Sequence, residues 1–169
     1  APDCQFCHGT HGIKPTDDSD SKVAPIEIPY LRGSCHQEGS EAQLQRNIPK
    51  THIFENYSQS IHGEGLFIKG LTVTATCVSC HKAHKVLPHT NPESSISRNN
   101  IAETCTKCHA RIEDVHQKVI SGELWEKEEH VLPACVDCHQ PHKIRKTDYN
   151  LGLTDKECNS CHASRDIIS

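Results

Sequence analysis

The chain has 169 residues, enough for one ordinary domain, yet only 34% are hydrophobic and 4% aromatic, a thin supply for a conventional core. Its formal net charge is -4 with Lys and Arg scattered, which argues against a phosphate-tracking surface and so against nucleic acid as a partner. No segment reaches the roughly 18 apolar residues that span a bilayer; the best stretch, 65–78, is interrupted by Lys69 and several Thr.

In chain order, the first recognisable element is Cys4-Gln-Phe-Cys7-His8, with His11 three residues further on. Arg32-Gly-Ser-Cys35-His36 follows, and a short helix is predicted over 40–47. His52 and His62 come next, the latter in Tyr57-Ser-Gln-Ser-Ile-His62-Gly. Cys77-Val-Ser-Cys80-His81 repeats the first motif, again with a His three residues on, at His84. His89 falls in a turn between Pro88 and Asn91-Pro92. A helix is predicted over 100–119, carrying Cys105-Thr-Lys-Cys108-His109 and His116, and another over 122–130, ending at His130. Cys135-Val-Asp-Cys138-His139 with His142, then Cys158-Asn-Ser-Cys161-His162, complete the series. No alternating run is long enough for a sheet.

Eleven Cys and fourteen His in this arrangement point to a cofactor as the filler of the interior. Two thiols separated by two residues on a tight turn can reach both vinyl positions of one porphyrin edge, and the adjoining His then meets the iron. Five such motifs in one chain are a strong signal for c-type haem. Paired Cys-x-x-Cys motifs also make tetrahedral zinc sites, but zinc does not require a His after every second Cys, and all five motifs have one. A disulfide framework predicts an even cysteine count, and the count is odd.

The longer signature Cys-x-x-Cys-His-x-x-His opens three units, at Cys4, Cys77 and Cys135, each continuing with Gly-Ile, Lys-Val or Lys-Ile. They divide the chain into blocks of about 1–76, 77–134 and 135–169, two haems to a block. A second motif starts 28 positions after Cys77, at Cys105, and 23 after Cys135, at Cys158. Counting 28 from Cys4 lands on Arg32, so Cys35 and His36 read as an altered sixth motif whose haem is held by one thioether. The other reading is a stray Cys beside a stray His.

Six haems with imidazole on both faces need twelve His. His8, His36, His81, His109, His139 and His162 are the proximal set. His11, His84 and His142 lead the distal set, each expected to ligate a neighbouring haem, since a residue so close to a proximal His cannot easily reach the far face of the same haem. His62 and His116 follow, with His130 or His52 favoured over His89 for the last place. The chain has no Met, so His/Met ligation is excluded and low potentials are expected.

On these motifs the chain resembles the multihaem cytochromes c of anaerobic respiration, particularly the electron-conducting kind with two His on each iron. The resemblance implies a mostly irregular fold of coil and short α-helices with minimal β, wrapped around a haem stack. It implies electron hopping among redox partner proteins or extracellular acceptors, and raises polymerisation by end-to-end contact, as in secreted cytochromes that form conductive filaments. The Ala start and absence of Met suggest a cleaved secretory signal and a soluble protein of the periplasm or exterior. Two rival readings are a catalytic multihaem enzyme of the nitrite or hydroxylamine type and a terminal metal reductase. No Cys-x-x-Cys-Lys marks an open catalytic iron.

Overall fold

The computed structural model describes residues 2–40, 44, 52–110 and 134–145. Over these residues the chain is coil and turns joining short helices, with no strand among them. The helices are α1 (Cys4–His8), α2 (Ile28–Gly33), α3 (Ile53–Ser58), α4 (Ile61–Phe67), α5 (Cys77–His81), α6 (Ile101–Thr106) and α7 (Cys135–Cys138). This is the expected class: irregular coil with short α-helices and minimal β. The helix expected to run over 100–119 does not continue that far: α6 ends at Thr106 and a turn follows at Lys107 and Cys108; residues 111–119, the 122–130 helix and nearly all of 40–47 lie outside the described residues.

The chain divides into two compact units. The first comprises Ala1–His84 with His142–Ile144, the second Lys85–Pro141 with Arg145–Ser169. In the first, α2 packs on α3 and α5, and α3 packs on α4. The aromatic supply is concentrated here: Tyr30, Phe54, Tyr57 and Phe67 form one cluster with ring centroids 5.1–6.1 Å apart, in the range of tilted and edge-to-face pairs. Leu66 is buried beside it at 1% exposure.

Small residues let these helices close up. Ser60 caps α4, accepting from the Gly63 amide at 3.0 Å while its hydroxyl donates to the Tyr57 carbonyl at 2.6 Å. A Cβ on Gly63 would run into that same Tyr57 carbonyl, so the α3–α4 corner requires glycine. Gly33 lies against Phe54, whose side-chain atoms stand 3.1 Å from where its Cβ would be. The Tyr57 hydroxyl donates to the Ala75 carbonyl at 2.9 Å, fixing the approach to α5. In the second unit, α6 packs against α7.

A repeat not expected from the motifs runs through the coil. In one unit, Ser21, Ala24 and Glu27 amides donate to the Asp18, Ser21 and Ala24 carbonyls; in the other, Ser94, Ser97 and Asn100 amides donate to the Asn91, Ser94 and Ser97 carbonyls. The side chains repeat too. Ser21 and Ser94 hydroxyls donate to the Lys14 and Leu87 carbonyls at 3.1 and 3.0 Å, and Asp18 and Asn91 accept from the amides two residues on at 2.8 and 2.9 Å. Every pair is 73 positions apart, the spacing of Cys4 and Cys77. Chains of such turns, with Ser, Asp and Asn closing them locally, carry the polypeptide with few backbone ladders.

Candidate haem-attachment sites

The described motifs at Cys4, Cys77 and Cys135 are one-turn helices, while the one at Cys105 begins in the last turn of α6 and continues as a turn. In α1, Asp3 caps by accepting from the Phe6 amide at 2.9 Å; in α5, Thr76 and Ser79 form a reciprocal capping box. A helix of this length puts residues i, i+3 and i+4 on one side, so Cys4, Cys7 and His8 share a face, as do Cys77, Cys80 and His81. The turn then ends abruptly. Gly9 and Lys82, the residues after the proximal His, have φ of 81° and 63°, the left-handed region that Gly occupies freely and Lys only under constraint. The chain thereby leaves the helix before its second His, three residues on.

The altered motif has the backbone of an intact one. Helices α2 and α6, each of six residues, start 73 positions apart at Ile28 and Ile101. After them, the Cys35 and His36 amides donate to the Arg32 carbonyl at 3.1 and 3.2 Å. The Cys108 and His109 amides likewise donate to the Cys105 carbonyl at 3.3 and 3.1 Å. Arg32 thus stands where Cys105 stands, Cys35 where Cys108 stands and His36 where His109 stands. Counting from Cys4 could find this; the turn repeat of Pro15/Pro88, Ser21/Ser94 and Ile28/Ile101 is the additional sequence signal that fixes it.

Two pairs of imidazoles come together. The His8 and His84 ring centroids are 6.0 Å apart with planes 29° from parallel. Those of His81 and His142 are 5.8 Å apart at 6°. The second pair is held by the Ile61 amide, which donates to the Ile144 carbonyl at 2.7 Å and anchors the His142 segment to the start of α4. Rings in van der Waals contact face to face would sit about 3.5–4 Å apart. Two imidazoles bonded to one metal from opposite sides, at about 2 Å per bond, have centres about 6 Å apart. The centroid separations of 6.0 and 5.8 Å lie near the second spacing rather than the first.

The electrostatics favour neutral ligands. Burial, reinforced by the Arg32 guanidinium, pushes the His36 and His81 imidazoles below their ordinary value, and His36 adds to the effect on His81. Burial raises the Cys77 thiol, with Arg32 opposing it, and also raises the Tyr57 phenol, which lies beside Cys77 and Cys80. The Nδ1 of His36 is buried with no hydrogen-bond partner among the described residues. Cys4, Cys7, Cys35, Cys77 and Cys108 form no disulfide. Among the described residues no three His, Cys, Asp or Glu side chains converge as a closed tetrahedral zinc site requires; an iron already held by four porphyrin nitrogens needs only two.

The remaining named residues are dispersed. His11 is exposed, with Nδ1 3.2 Å from the Thr10 hydroxyl. His52 caps α3 with φ 59° and faces Glu38 at 3.9 Å. His62 is half-buried in α4, its carbonyl accepting from Thr74 at 3.3 Å. His89 and His109 are exposed. In the second unit Cys105 follows Thr104 in α6, and the His139 amide donates to the Cys135 carbonyl at 2.8 Å, closing α7 as α1 is closed. Nothing further is described for the Cys138 side chain, and His116, His130, Cys158, Cys161 and His162 lie outside the described residues.

No family model and no solved structure matches the chain. Among curated proteins it is similar to the multiheme cytochrome MtrA of Shewanella baltica, with 30% identity over 98% of this chain and 53% of the relative. It is also similar to cytochrome c-552 of Maridesulfovibrio salexigens, with 24% identity over 91% of this chain and 33% of the relative. The chain thus spans about half of one curated relative and a third of the other. A likeness that runs through nearly every residue here, on top of five attachment motifs, assigns the chain to the multihaem c-type cytochromes.

Proposed function

We propose that the chain is an electron relay of six covalently attached haems, arranged as three two-haem blocks, each iron capped by two His. In this reading His8 and His84 share one iron, and His81 and His142 share the next. The second His of the Cys77 and Cys135 signatures then serves the haem of the preceding signature. Cys105 to His109, Cys135 to His139 and Cys158 to His162 hold three further haems, and Cys35 with His36 holds the sixth by one thioether. The observation that carries the reading is the pair of opposed imidazoles, at a separation suited to an iron and poorly suited to a stack.

Bound haem supplies a one-electron iron couple. The chain's own residues do the rest. The one-turn helices orient two thiols and an imidazole together. The left-handed turns at Gly9 and Lys82 release the next His toward a different site, which keeps neighbouring sites close. Tyr57 of the aromatic cluster lies beside Cys77 and Cys80. Capping both faces leaves no position for a substrate, which favours a carrier over a nitrite or hydroxylamine enzyme. Covalent haem attachment supports a location outside the cytoplasm. Among the described residues no helix is long and apolar enough to cross a membrane. Copies joined end to end, or an extracellular acceptor, would extend the same relay; negative-stain images showing only monomers would remove the polymer.

The test is exposure of the reduced holoprotein to carbon monoxide, with nitrite and hydroxylamine assays alongside. Capped irons give an unchanged visible spectrum and no turnover. A spectral shift accompanied by turnover would make the protein an enzyme.

A further inference from the structure

Arg32 occupies the position of the missing thiol, and its side chain is engaged. Its Nη2 donates to the Lys82 carbonyl at 3.2 Å and to the Ala83 carbonyl at 3.1 Å. These carbonyls belong to the strained turn between His81 and His84: Lys82 holds φ at 63° without being glycine, a conformation that persists only where surrounding structure over-determines it. The helix that carries Arg32 also packs on the helix that carries Cys77 and His81. One guanidinium thus holds the turn that sends His84 toward His8 while standing beside both His36 and His81.

We propose that Arg32 is a positioning residue that replaces an attachment thiol with a fixed positive charge, clamping the His81–His84 turn and raising the reduction potentials of the irons bound by His36 and His81. The physical reason is Coulombic. Ferric haem carries one more positive charge than ferrous haem, so a nearby cation that cannot lose its proton disfavours the oxidised form. The other member of the repeat, Cys105, has a thiol at this position and no such charge, so the altered motif differs from its counterpart in electrostatics as well as in attachment.

The proposal rests, for His36, on the reading that Cys35 and His36 hold a haem; for His81 it needs only the intact Cys77 motif. The experiment is a spectroelectrochemical titration of wild-type, Arg32→Gln, Arg32→Lys and Arg32→Cys holoproteins, with haem number counted in each by intact mass. Arg32→Gln is expected to lower two couples, each changing its oxidised-to-reduced ratio about tenfold at fixed potential, roughly 59 mV for one electron, with the others, apart from that of the His8 iron, unmoved. Arg32→Lys keeps the charge and restores those couples, while losing the forked grip and altering the electron paramagnetic resonance of the His8 iron. Arg32→Cys removes the charge by a second route and lowers the His81 couple even if Arg32→Gln fails to assemble. Unmoved couples in every charge-removing variant, or an Arg32→Lys protein shifted as far as Arg32→Gln, would overturn the proposal. A wild-type mass lacking the sixth haem would instead remove the Cys35 reading, and the His81 couple would still decide the role of Arg32.

Discussion

His8 and His84 face each other with ring centres 6.0 Å apart, although one belongs to the first attachment motif and the other follows the second. The same shift by one motif recurs between His81 and His142 at 5.8 Å. A His three residues after its own attachment helix is turned away from that helix by the left-handed residue between them in the second signature, at Lys82, and is carried to an earlier site. In the proposed relay this would stitch successive motifs together, so that binding one haem would help to order the next.

The pairing makes a sharp prediction for His84. His84→Ala leaves the His8 iron with one protein ligand, and electron paramagnetic resonance of the oxidised protein gains a high-spin signal from that iron alone. His84→Met instead keeps it six-coordinate and raises its potential, since thioether ligation favours ferrous iron. A His84→Ala protein whose irons are all still low-spin contradicts the pairing.

His142→Ala should act on the His81 iron and on no other. The double variant with His84→Ala is expected to show two high-spin irons, one from each pair. Appearance of only one high-spin iron in the double variant would mean that both His serve one site.

Cys35→Ser removes the only thiol expected to anchor the altered site. Acid-acetone extraction of this variant releases one haem that the wild type retains, while five stay attached. Extraction of the same amount from both proteins would place that haem elsewhere.

The glycines of the first unit predict a ranking of stabilities. Gly63→Ala forces a methyl onto the Tyr57 backbone carbonyl, and destabilisation by about 1–3 kcal/mol is expected from overpacking. Gly33→Ala meets the Phe54 side chain, which can yield, and costs less. Thermal unfolding of the two holoproteins followed by circular dichroism gives the order; the reverse order contradicts the packing described.

Acid sensitivity has a local contributor at the turn before α2. Asp18 accepts from the Asp20 amide and from Lys14 at 2.8 and 3.4 Å, the amide first, and these hold its carboxyl below the ordinary value. A carboxyl depressed in the folded state adds stability at pH above its unfolded value, and loses it as pH falls through the folded one. Asp18→Asn should therefore be less stable than wild type near neutrality and converge with it below about pH 4. The unfolding midpoints, compared across that range, check the sign; a gap that widens in acid contradicts it.

Much of the site was legible because covalent chemistry imposes spacing. The motif cysteines, the proximal His and the displaced reading at Arg32 all follow from counting residues, and the lack of alternating runs suited the coil, which has no strand among the described residues. The packing was not legible in the same way. Helices α3 and α4 depend on Ser60 and Gly63 at a corner, and nothing in the periodicity of 53–67 marks a break there. The roles of Lys82 and Arg32 were also hidden, because a left-handed Lys and a long-range carbonyl clamp are set by tertiary structure rather than local preference. Which His faces which was out of reach for the same reason: sequence supplies the number of imidazoles, and the fold supplies their partners.

The most direct measurement is the intact mass of the purified, denatured holoprotein. The account predicts the polypeptide plus six covalent haems. A mass equal to the bare chain, or to the chain with cysteines joined only to one another, would contradict it.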